Sequence, residues 1–120
     1  MTRSRASAKA AGTRFESLIA ACLAEHVHPF IERRARRGAR DTGDIAGLTV
    51  HGCRIVVEAK DYGGRLEVGP WLREAERERD NDGAIAGVVV AKRRGITDPL
   101  EQTVLMTVRD LCAILTGETP

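Results

Sequence analysis

The chain has 120 residues, 30% of them charged, with a formal net charge of +2. That length fits one domain, burying roughly two thirds of the surface its unfolded chain exposes, and no apolar run approaches the ~20 residues of a membrane-spanning helix. Cys22, Cys53 and Cys112 are odd in number and widely separated, which excludes a disulfide framework or a zinc site; they read as small buried apolar residues in a reducing cytoplasm.

Residues 1–12 are basic and small, lack the apolar centre of a secretory signal, and read as a flexible arm preceding one domain over 13–117. A first helix is expected from Thr13 to about Glu25. Phe15, Leu18, Ile19, Cys22 and Leu23 follow helical spacing, with Thr13 as N-cap and Glu16 as its capping-box partner. His28 to Arg33 is extended. Asp44 to Val50 and Cys53 to Lys60 are strands joined by a tight His51-Gly52 turn.

Asp61 to Gly69 is a loop, and Pro70 stands at the start of a helix that runs to about Asp80. Its dense Arg/Glu pairs read as a solvated face. Ala84 to Ala91 is a continuous apolar run, the mark of a strand covered on both sides. Gln102 to Thr107 is a last strand, and Arg109 to Leu115 a short helix ended by Gly117. The order α-β-β-β-α-β-β-α predicts an α/β fold, a mixed central sheet of about five strands flanked by helices.

The chemistry concentrates on the strand Cys53–Lys60. A strand repeats every two residues, so Glu58 and Lys60 share a face. Asp44, opening the preceding strand, can lie beside Glu58 across the ladder. Two carboxylates and an ammonium at the rim of a small sheet are costly unless something uses them. Hard divalent cations such as Mg²⁺ take carboxylate oxygen, and a bound ion acidifies water and stabilises charge on a phosphate.

Element order and charges together resemble the PD-(D/E)XK nuclease superfamily. The matching residues are Gly43-Asp44 on the second strand and Glu58-Ala59-Lys60 on the third. Glu16, within Gly12-Thr13-Arg14-Phe15-Glu16, matches a further acidic position of several members. The compact size and early helical glutamate are most like the archaeal-type Holliday junction resolvases. The resemblance covers roughly residues 12–115 and implies a restriction-endonuclease-like core. It implies catalytic roles for Asp44, Glu58, Lys60 and Glu16, with the metal held by Asp44, Glu58 and the backbone carbonyl of Ala59. Glu16 is a further ligand for a second ion or an outer-shell water. The expected cofactor is Mg²⁺, with Mn²⁺ able to substitute, and no small-molecule cofactor or membrane is involved. Two departures stand out: Gly43 replaces the proline of the superfamily name, and only Thr42 offers a hydroxyl where the archaeal resolvases carry a serine.

Charge is uneven along the chain. Residues 1–40 hold nine Lys/Arg against three Glu, whereas residues 41–120 hold ten against fourteen acids. Arg33, Arg34, Arg36, Arg37 and Arg40 lead directly to Asp44, and Lys92, Arg93 and Arg94 leave the apolar strand together. Both groups read as contacts to DNA phosphates. Tyr62 and Trp71 offer base stacking, or packing. The expected activity is Mg²⁺-dependent cleavage of branched DNA by a two-fold homodimer in the cytoplasm. A repair, nicking or restriction-type nuclease of the same fold is the alternative, and a catalytically inert DNA-binding module is the alternative of another class.

Overall fold

A computed structural model describes residues 3–34 and 43–120. Helix α1 runs from Arg5 to His26, starting well ahead of the expected Thr13. Ala6, Ala8, Ala10 and Ala11 are the strongest helix formers, and the Ser4 hydroxyl caps the end by accepting the N–H of Ser7. Thr13 is therefore mid-helix and not a cap, and Glu16 is buried. Residues 5–12 are helix and not a flexible arm, so the boundary expected at residue 12 falls inside α1.

Strands β1 (Glu32–Arg33), β2 (Ile45–Ala46), β3 (Thr49–Val50) and β4 (Cys53–Lys60) are antiparallel. Helix α2 (Val68–Asp82) then crosses to β5 (Ala86–Ala91), which lies parallel to β4. Strand β6 (Thr103–Leu105) returns antiparallel, and helix α3 (Val108–Thr116) follows. Among the described residues the fold is α/β, with three helices and a mixed six-stranded sheet ordered β1-β2-β4-β5-β6, β3 also pairing with β4. The element order is the expected one, except that the second strand comes in two pieces. Pro70 occupies the third position of α2 and not the first; its missing N–H still falls in the first turn, where it costs nothing.

The break between β2 and β3 sets the geometry of everything that follows. Thr49 pairs with Arg54, whereas Ile45 pairs with Val57. Four steps of chain from Ile45 to Thr49 thus face three from Arg54 to Val57, which is a bulge of one residue. Gly47 sits there with φ +92, and a Cβ on it would lie 2.8 Å from the carbonyl oxygen of Phe30. A one-residue shift moves side chains to the other face. With the bulge, Asp44 stands opposite Glu58; without it, Asp44 would stand opposite Ala59.

One face of the sheet, with Val57, Ala59, Val88 and Val90, packs under α1 through Phe15 and Ile19. The other face, with Val89 and Ala91, packs under α2 through Trp71 and Ala75. β5 is buried at every position, as its unbroken apolar run requires. Helix α3 sets Ala113 against Ile85 and Ala86 at the start of β5. Cys22 is buried and Cys53 half-buried, but Cys112 is exposed, because α3 turns Asp110 and Ala113 inward instead. Among the described residues no helix is long and apolar enough to cross a membrane.

Candidate active site

Helix α2 runs antiparallel to β4, and its side chains at i, i+4 and i+8 meet Lys60, Glu58 and Arg54, which share one face of the strand. Three rungs result. Lys60 Nζ lies 2.5 Å from Glu74 Oε1. At the far end, Arg54 Nε lies 3.3 Å from Asp82 Oδ2. Between these two charge-matched rungs, Glu58 meets Glu78, acid on acid. Glu58 is only 3% exposed, and its Oε1 is fully buried with no hydrogen-bond partner among the described residues.

Asp44 adds a further carboxylate beside this rung. Its backbone N–H donates to the Val57 carbonyl (2.9 Å), and its Oδ2 accepts the N–H of Ala59 at 2.8 Å. Along β4 the carbonyls of Arg54 and Lys60 accept from Ile85 and Lys92, on the β5 side. By strand alternation Ala59 turns its N–H and C=O the other way, towards Asp44. Gly43 makes this approach feasible. Its φ is +101, which proline cannot adopt, and a Cβ there would come within 2.7 Å of Val56 Cγ1. Glycine at this position is thus a requirement of this backbone.

The electrostatics follow from the crowding. Burial pushes the Glu58 carboxyl far above the ordinary range, and the hydrogen bond its protonated form donates to Glu78 and the charges of Asp44, Glu78 and Glu74 push it further. Without a cation this carboxyl holds its proton. Burial alone would lower the Lys60 ammonium, but the hydrogen bond and charge of Glu74, and Glu58 when ionised, outweigh it and raise its pKa. Lys60 is therefore a fixed positive charge and not a ready base. Glu58, Glu74 and Glu78 each offer a carboxylate oxygen, all within 4.8 Å of one another. This buried cluster could bind a metal ion. A partnerless, desolvated oxygen among hard oxygen donors fits a hard divalent cation.

Compared with known proteins, the chain matches no family model, no curated protein and no solved structure. The local geometry therefore carries the functional argument.

The rung at Lys60 opens into a cleft of about 840 Å³ at the C-terminal ends of β4 and β5, where open α/β sheets bind ligands. Glu16, Ala59, Lys60 and Glu74 line it together with the cations Arg3, Lys9, Arg65 and Arg94. Arg3 pairs with Asp61 at 3.2 Å. Lys9 and Arg94 have no carboxylate partner among the described residues, leaving their charge for an anion.

The remaining expected residues scatter. Glu16 lines the cleft from α1, on the other side of the sheet from Glu58, with Oε2 3.3 Å from Arg33 Nε. Arg34 Nη1 lies 3.6 Å from Asp82, so Arg33 and Arg34 both meet acids of this chain. Arg36, Arg37, Arg40 and Thr42 lie outside the described residues. Lys92 Nζ donates to the carbonyls of Arg93 and Ile96, and Arg93 Nη1 to that of Glu101, closing their own turn. Only Arg94 of that trio reaches the cleft.

Glu74 and Glu78 escaped the sequence reading, which took α2 as a solvated face. The signal was present: Trp71, Glu74, Ala75 and Glu78 form one i, i+3, i+4, i+7 stripe. Trp71, Ala75 and Glu78 are indeed the buried residues of α2.

Proposed function

We propose that this protein is a divalent-metal-dependent endonuclease with a restriction-endonuclease-like core, cutting DNA phosphodiester bonds. One observation carries the reading: an acid-on-acid rung, with a partnerless buried Glu58 oxygen, lies between two charge-matched rungs and beside Asp44. A protein keeping that rung for stability alone would place a cation opposite Glu58. Glu58 and Asp44, with Glu74 and Glu78 from α2, would hold the ion, and Mg²⁺ is the member of the hard-cation class that the PD-(D/E)XK resemblance favours.

When bound, such an ion supplies an acidified water and stabilises charge on the phosphate. The chain's own groups do the rest. Lys60, held charged by Glu74, offsets charge building on the phosphate oxygens. Lys9 and Arg94 draw the phosphate backbone into the cleft. Glu16 faces the same space from α1 and can orient a water. The substrate we favour is branched DNA cut by a two-fold homodimer, since paired symmetric nicks need two copies of one site. A repair or restriction-type nuclease on linear DNA is the second reading, supported by the same rung.

The test incubates the protein with Mg²⁺ and a labelled four-way junction beside a linear duplex of identical sequence, with EDTA and Glu58→Gln controls. Paired nicks confined to the junction are expected. Equal cutting of both substrates favours the second reading, and binding without cutting would reduce the protein to an inert DNA-binding module.

A further inference from the structure

The cleft has an aromatic wall that the proposed cleavage chemistry does not use. Tyr62 follows the metal-site strand by two residues, lines the cleft and is 41% exposed. Its ring is fixed edge-on against Trp71, with centroids 5.0 Å apart at 75°. Trp71 is itself only 3% exposed, so Tyr62 rests on the core and is not a loose surface ring. The Arg65 guanidinium lies over the Tyr62 ring, 5.4 Å from its centroid. A planar cation on that face marks where another planar group can lie. Arg65 is mostly exposed, and its ion pair with Glu67 spans 3.7 Å, so it can move aside.

Scale and charge point the same way. A half-open space of about 840 Å³ matches the volume of pockets that take one small ligand, the scale of a single nucleotide and not of a duplex. Arg94, tied to the Gly63 carbonyl at 3.2 Å, and Lys9 bring positive charge to the same walls.

Resting on the nuclease reading, we propose that this cleft seats an unpaired nucleotide next to the bond to be cut. Its base stacks on Tyr62 and its phosphate meets Arg94 and Lys9. Tyr62 is then a specificity-determining residue, selecting DNA with bases already freed from pairing, as at junctions, flaps and gaps.

The experiment measures fluorescence anisotropy in EDTA, using a labelled oligodeoxynucleotide as a single strand and within a blunt duplex. Tyr62→Ala and Tyr62→Leu should weaken single-strand binding roughly 5- to 100-fold and leave duplex binding unchanged. Tyr62→Phe should match the parent protein on both. Tyr62→Leu keeps an apolar contact for Trp71, the only tryptophan, whose emission and melting curve report folding. Parental single-strand affinity in the folded Leu variant, or equal losses on both DNAs, overturns the role of Tyr62. Mg²⁺-dependent cleavage by the parent protein is scored separately. If it persists, only the stacking platform has failed; if no DNA is bound or cut, the nuclease reading has failed too.

Discussion

Asp110 and the Glu58 cluster are both buried acidic centres beside this sheet, and they are built on opposite logic. Asp110 of α3, 1% exposed, accepts the Gly87 N–H and an Arg79 guanidinium N–H, both at 2.9 Å. It joins α3, β5 and α2 with its charge matched and its oxygens occupied. Glu58, 3% exposed, faces Glu78 and lies beside Asp44, and one of its oxygens has no hydrogen-bond partner among the described residues. Asp110 sits by the N-terminal end of the parallel pair β4–β5, and the glutamate cluster towards the C-terminal end, where the cleft opens. The first centre is complete as folded, whereas the second is complete only with a proton or a cation from outside. Burial therefore does not distinguish the two centres; what distinguishes them is whether the chain supplies the counter-charge.

This contrast can be broken by substitution. Asp110→Ala leaves Arg79 without its buried partner and should cost about 3–5 kcal/mol, read by chemical denaturation. Glu58→Gln should act in the opposite sense, raising metal-free stability by on the order of 1 kcal/mol because a neutral amide suits the acid-on-acid rung. The same substitution should lower Mg²⁺-dependent cleavage by at least the roughly 100-fold that loss of a ligand's supporting partner can cost. A Glu58→Gln protein that is less stable yet fully active would erase the distinction between the two centres.

The pH response sharpens it. The folded-state pKa of Glu58 is raised above its unfolded value. Its contribution to stability is therefore fully present below about pH 4.5 and declines as pH rises towards the folded pKa. In EDTA, melting between pH 5 and 8 should show stability falling by no more than about 1.4 kcal/mol per pH unit from this group. Saturating Mn²⁺ should flatten that slope, and Glu58→Gln should abolish it. Smallest of all, Arg33→Ala removes the half-exposed member of its pair with buried Glu16 and should change stability by about 1 kcal/mol; a loss of several times that would make Glu16 part of the buried-charge problem.

Most of this architecture was legible in the sequence, for physical reasons that differ by element. β5 announced itself because every position is apolar and every position is buried. Glu58 and Lys60 share a face because strand periodicity leaves no choice. Asp44 was placed beside Glu58 correctly, yet the bulge that brings it there left no mark that pattern alone could read. Gly47 is one glycine among twelve, and its role depends on the nearby Phe30 carbonyl. The early start of α1 was hidden because Arg3, Arg5 and Lys9 resemble a solvated tail, while the alanines between them favour helix. Glu74 and Glu78 were misread because charged residues dominate α2, although two of them fall on its apolar stripe.

The extra residue at Gly47 makes the site a matter of counting. Removing one residue between Asp44 and Thr49 would retain every acid and every lysine, yet it would turn Asp44 to the α1 side of the sheet. Insertions and deletions in this short stretch are thus more dangerous to the protein than most changes of side chain, and lineages that keep the chemistry must also keep the spacing.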